Sequence, residues 1–127
     1  MSLVKKQWEF VRDIAKLITF AEKHGIMLTF GEAFRTQDQQ KLNYYGYEVQ
    51  LNDQEIGFKK KEPTSWTLQS QHLKRLAVDF NFFVKGKLTY KKEDVQLLGD
   101  YWESLNPKNR WGGNWLTPDT PHFERLD

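Results

Sequence analysis

The chain has 127 residues, of which 39% are hydrophobic and 28% charged; this fits one globular domain and excludes a disordered or membrane-spanning chain. There is no cysteine, which removes disulfides, thiol nucleophiles and cysteine-held zinc, so any metal must be held by histidine and carboxylate. A formal net charge of +2 gives no nucleic-acid footprint, although it is compatible with an anionic polymer as partner.

The first segment carries Val4, Trp8, Val11, Ala15, Ile18 and Ala21 at helical spacing, with Ser2 as cap and Gly25 as stop. Phe10, Ile14 and Leu17 widen the same face, so Trp8 and Phe10 are expected at the buried edges of a core-packing helix. Ile26-Met27-Leu28-Thr29-Phe30 reads as a buried strand. Thr36 and Gln39 form a capping-box pattern that starts a helix running towards Tyr45. From Gly46 to Thr67 no period is sustained, and a long loop or small hairpin is expected, with Lys59-Lys60-Lys61 as a solvated run. In LAVDFNFF, Ala77, Asp79 and Asn81 alternate with Val78, Phe80 and Phe82, the period-two pattern of a strand with Asp79 on the face opposite Phe80 and Phe82. Lys85-Gly86 is a tight turn into a second strand, Lys87 to Tyr90. Val95, Leu98, Tyr101, Trp102 and Leu105 share one face of a helix from Lys91 to Leu105. Asn106 to Thr120 is rich in proline, glycine and tryptophan, and His122-Phe123-Glu124 forms a last strand.

Three histidines are present. His24 ends the first helix and suits an interaction with its dipole. His72 lies seven residues before Asp79, and His122 three after Asp119. Catalytic zinc takes three protein ligands from His, Asp and Glu and keeps one position open, so these four residues supply a ligand set and a spare carboxylate. Such pairs also arise by chance in a charged chain and the HExxH pattern is absent, so spacing alone leaves the metal site open.

The stretch Ser70-Gln71-His72-Leu73-Lys74-Arg75-Leu76-Ala77-Val78-Asp79 resembles the S-x-H-x-x-G-x-A-x-D motif of zinc D-alanyl-D-alanine carboxypeptidases and dipeptidases. The tail Asp119-Thr120-Pro121-His122-Phe123-Glu124 is similar to their closing D/E-x-x-H-F/W motif, and Ala33-Phe34-Arg35-Thr36 with Gln40 to their G-x-R-[ST]-x-x-x-Q segment. That family includes phage endolysins cutting the L-alanyl-D-glutamate bond of peptidoglycan, and it shares its fold with the amino-terminal signalling domain of hedgehog proteins. The resemblance implies that His72, Asp79 and His122 hold Zn2+, that Asp119 is the general base, and that Arg35 binds substrate carboxylate or polarises the scissile carbonyl. Ser70 and Gln40 match positions lining the substrate cleft, and Glu124 matches either an orienter of a ligating histidine or a strand-surface carboxylate. Arg75 stands where glycine is usual, which bears on the backbone path, since glycine adopts conformations that arginine rarely does. Of Trp111-Gly112-Gly113-Asn114-Trp115, one ring suits a cleft wall and either suits the core.

The resulting expectation is one zinc peptidase domain over residues 1–127. Its class is α+β, a small antiparallel sheet with helices packed on one side, hedgehog/DD-peptidase-like. Its substrate is the peptidoglycan stem peptide. The setting implied is a phage or prophage L-alanyl-D-glutamate endolysin, a monomer made in the cytoplasm without a signal peptide and acting on the wall after release by a holin. Alternatives are a D-alanyl-D-alanine carboxypeptidase of wall maintenance or resistance and a non-catalytic zinc-binding hedgehog-like module.

Overall fold

The computed structural model describes residues 1–127. The Ser2 side chain accepts from the Lys5 amide at 3.3 Å and starts helix α1, Leu3–Lys23, which ends where Gly25 turns the chain at φ +75°. The helix buries Phe10, Ile14, Leu17 and Ala21. This corrects the expected stripe, because Val4, Trp8 and Val11 are 52%, 59% and 63% exposed, and Ala15 and Ile18 also face solvent. Two apolar stripes lie side by side on α1, and packing against one sheet covers only one of them. The rotation is set by Asp13, which is buried on the far side of the covered stripe, where it meets Arg125.

Strand β1, Ile26–Phe30, pairs antiparallel with a central strand, Ala77–Val84. It is an edge strand rather than the buried one expected: Ile26 alone is buried, and Met27, Thr29 and Phe30 are exposed. Helix α2, Gln37–Tyr45, is capped by Thr36, whose hydroxyl accepts from the Gln39 amide at 3.1 Å. The segment after it forms a hairpin of β2, Tyr47–Asn52, and β3, Glu55–Lys60, a two-stranded sheet separate from the main one. A short 3-10 turn, Gln71–Lys74, leads into β4, the Ala77–Val84 strand, and β5, Lys87–Thr89, follows a turn at Lys85 and Gly86. Both turn residues have positive φ, +51° and +77°, as a two-residue hairpin with right-twisted strands requires.

Helix α3, Lys92–Leu105, buries Val95, Leu98, Gly99 and Trp102. After it come β6, Asn109–Trp111, a second 3-10 turn at Gly112–Asn114, and β7, His122–Arg125. The main sheet runs β1-β4-β7-β6 with β5 added to β4. Strand β6 lay hidden in a proline- and glycine-rich stretch. It forms because the Trp111 ring packs onto α3 at Gly99, where a Cβ would come within 2.0 Å of the ring. Val78, Phe80 and Phe82 point from β4 into the core with α1, α3, Trp111 and Phe123, which leaves Asp79 and Asn81 on the other face. The fold is thus α+β, a mixed arrangement of helices and antiparallel sheet. No helix is long and apolar enough to cross a membrane.

Candidate active site

Strands β4 and β7 place Asp79 and His122 as direct partners in register, and the 3-10 turn brings His72 beside them. One donor atom from each of the three lies within 4.8 Å of the others. Asp79 Oδ1 is 3.4 Å from His72 Nε2 and 3.3 Å from His122 Nδ1. The remaining ring nitrogens are engaged elsewhere. His72 Nδ1 donates to the Ala33 carbonyl at 2.8 Å, and His122 Nε2 contacts Glu124 Oε1 at 2.6 Å. A carbonyl can only accept, so neutral His72 carries its proton on Nδ1 and keeps a lone pair on Nε2 facing Asp79. Metal-ligating histidines are held in this way, with the outer nitrogen tied to a carbonyl or carboxylate and the inner one turned towards the shared centre, here towards Asp79 Oδ1. Two imidazole nitrogens and a carboxylate oxygen form a donor set that fits zinc.

The electrostatics show how strongly the three groups interact. Burial acts to raise the Asp79 carboxyl, but hydrogen bonds and charge from His122 and His72 outweigh it and hold the group well below the usual carboxylate range. Burial acts to lower His122, yet its bonds to Asp79 and Glu124 push it up to about 9 from 6.5. Without a metal, then, a proton occupies His122 and neutralises part of the cluster's negative charge.

Around this cluster lies a cleft of about 910 Å³. Asp119 lines it, held by a hydrogen bond from its backbone amide to the Gly112 carbonyl at 2.8 Å, and its own carbonyl accepts from the His122 amide at 3.2 Å. Gly112 must lack a side chain here, since a Cβ would meet the Asp119 carbonyl oxygen at 2.4 Å. Burial raises the Asp119 carboxyl by disfavouring its charged form, and the Asp79 charge adds to this against the pull of His122, His72 and Arg35. Arg35 also lines the cleft. Its Nε is bound by Glu32 and its Nη1 by Gln40 Oε1 at 2.7 Å, and Nη2 has no partner within the chain.

Two expected cleft-lining residues differ in depth. Ser70 does line the cleft, where its hydroxyl accepts from the His72 amide at 3.2 Å and caps the turn that presents His72. Gln40 instead lies beneath the surface with no exposed area, bonded to Arg35, Ser65 and Thr67. Arg75 adopts the left-handed backbone that glycine takes most readily, at φ +57°, and its guanidinium stacks 4.1 Å above the Phe34 ring. Of the two tryptophans, Trp111 is core and Trp115 is cleft wall, with its ring 5.0 Å from that of His122. Glu124 is bonded to His122, whereas His24 caps its own helix by bonding the Phe20 carbonyl at 2.8 Å. The sequence did not single out Trp66, a cleft residue in a stretch without period, or Glu32, which lies between motifs and binds Arg35.

Residues 63–125 match a family model described as D-alanyl-D-alanine carboxypeptidase. The chain is also similar to the crystal structure of the Serratia marcescens L-Ala D-Glu endopeptidase ChiX, with a TM-score of 0.61 and 20% identity over 91% of this chain and 79% of that one. No curated protein matches it. Residues 63–125 thus match the peptidase family that the motifs resemble, and the likeness to ChiX extends the shared fold over most of the chain.

Proposed function

We propose that the protein is a zinc peptidase that hydrolyses a peptide bond in the stem peptide of peptidoglycan, with residues 1–127 acting as one catalytic unit. The observation that carries this reading is the converging set of His72 Nε2, Asp79 Oδ1 and His122 Nδ1 with Asp119 beside it in an open cleft. A structural metal site is closed and has no use for a further carboxylate, so Asp119 favours catalysis over a binding module.

His72, Asp79 and His122 would hold the ion. When bound, zinc would supply Lewis-acid chemistry, making water nucleophilic near neutral pH and polarising the scissile carbonyl. Asp119 takes the proton from the attacking water and passes it to the leaving amine nitrogen, a role suited to a carboxyl raised above its ordinary value. Arg35 is held by Glu32 and Gln40, so its free Nη2 is positioned in advance to stabilise the oxygen on which negative charge develops. Ala33 and Glu124 fix the two imidazole rings, so no reorganisation is needed as charge moves.

For the bond cut, the likeness to ChiX supports L-alanyl-D-glutamate, and the family description supports a D-alanyl-D-alanine terminus as the second reading. Mass spectrometry of purified peptidoglycan digested with the protein decides between them. New L-alanine C-termini are expected, released D-alanine would move the assignment to carboxypeptidase, and no new termini from any wall type would remove the peptidase reading.

A further inference from the structure

One aromatic ring of the cleft has no part in the chemistry above. Trp66 lines the cleft but is 85% exposed. A singly exposed apolar side chain is ordinary, but this one stands in the cleft wall on a backbone held on both sides. The buried amide of Gln40 donates to Ser65 Oγ at 2.7 Å and to the Thr67 carbonyl, so one side chain pins both neighbours of Trp66. Ser65 Oγ also donates to the Thr67 carbonyl at 3.1 Å, and the amides of Thr64 and Ser65 reach the Asn43 carbonyl at 2.9 and 3.3 Å. The indole has no hydrogen-bonding or stacking partner within the chain.

The same stretch of cleft lining contributes Thr64, Ser65, Thr67, Gln69, Ser70 and Gln71, all neutral hydroxyls and amides. An aromatic face in a lining that also carries such groups suits a sugar ring, which has an apolar C–H face and a hydroxyl edge. A wholly apolar ligand would leave these polar groups unpaired on burial. The stem peptide is joined to its glycan through the L-alanyl residue, so a sugar lies within one residue of an L-alanyl-D-glutamate bond.

We propose that Trp66, on its Gln40-pinned loop, is a platform for the peptidoglycan sugar, so that the cleft takes a stem peptide still attached to its glycan. This rests on the peptidase reading and adds the part of the substrate that it leaves out. Gln40 then acts as a positioning residue that ties Arg35 to the sugar platform, since the same amide binds both.

Two measurements test it. In kinetics, a disaccharide-linked stem peptide is compared with the same peptide lacking sugar. Trp66→Ala should lower the ratio of the two kcat/KM values about tenfold, mainly through KM, because stacking acts equally on ground and transition states. Trp66→Phe should restore most of it. Equal losses on both substrates, or no loss on either, would overturn the proposal. In binding, 15N-labelled protein is titrated with N-acetylglucosaminyl-N-acetylmuramic acid alone. The indole N–H signal that is missing from Trp66→Ala should shift most, and an unmoved signal overturns the platform. If the parent hydrolyses neither peptide, the peptidase reading fails, while the titration still decides the platform.

Discussion

Asp79 is the point on which both histidines converge, and its surroundings set how protons are held among the three groups. His122 has its folded pKa raised to about 9 from 6.5, so in metal-free protein its protonation stabilises the fold below pH 6.5, and that stability is lost as pH rises towards 9. Asp79 is shifted the opposite way, so its contribution is present above its ordinary 3.8 and is lost in acid. On the proposed reading zinc needs neutral His122, so it would gain affinity over the same alkaline range. The gap in melting temperature between zinc-loaded and chelated protein should therefore widen from pH 6 to pH 9. A gap that narrows would show that the metal does not replace the His122 proton. The neighbouring carboxylate gives a separate prediction. Asp119→Asn keeps the size and polarity but cannot accept a proton, so hydrolysis should fall by about 10²–10⁴-fold with zinc content and melting temperature close to the parent. Loss of zinc in that variant would make Asp119 a ligand.

At the scale of elements, the turn from Ser70 to Arg75 shows how a motif survives a substitution within it. Arg75 stays in the left-handed region at φ +57° and has a compensating contact with Phe34. A side chain in that region costs about 1–2 kcal/mol, and a cation over an exposed ring returns about 0.5–1 kcal/mol. Arg75→Ala loses the contact and keeps the strain, whereas Arg75→Gly loses both. Thermal denaturation should therefore find the glycine variant more stable than the alanine variant by about 1 kcal/mol, and the reverse order would show that the turn is unstrained. The placing of Asp79 could be read in the sequence because β4 alternates cleanly and Asp79 had to oppose Phe80 and Phe82. The covered face of α1 could not, since Val4, Trp8, Val11 and Ile18 follow as good a helical period as Phe10, Ile14 and Leu17. Strand β6 was equally hidden, because three residues beside two glycines carry no period.

For the whole molecule, the ends of the chain are joined through a buried ion pair. Arg125 on β7 is bonded to Asp13, to Glu9 at 3.0 Å and to Asn109 at 2.6 Å, and Asn109 donates to Asp13 at 3.1 Å. This network fixes α1 against the strand that carries His122. Arg125→Ala would leave Asp13 buried without its charge partner, and loss of about 3 kcal/mol or more is expected, on the order of 10 °C in melting temperature. A change of only a degree or two would show that the pair is not holding the sheet to the helix. None of this was legible beforehand, because pairing between residues 112 apart in the chain leaves no local signal. The convergence of His72, Asp79 and His122, by contrast, could be read from the motifs, and the bracing by Ala33, Glu32 and Gln40 could not, since those contacts depend on how the loop before α2 folds over β4.

The measurement that tests the account most directly is the hydrolysis of purified peptidoglycan by chelator-stripped protein as zinc is added back. Activity should be absent at the start, rise in proportion to added zinc and reach a plateau at about one ion per chain. His72→Ala protein should show no such rise under the same titration. Activity that persists in stripped protein, or a His72→Ala variant that titrates like the parent, would contradict a catalytic metal held by His72, Asp79 and His122.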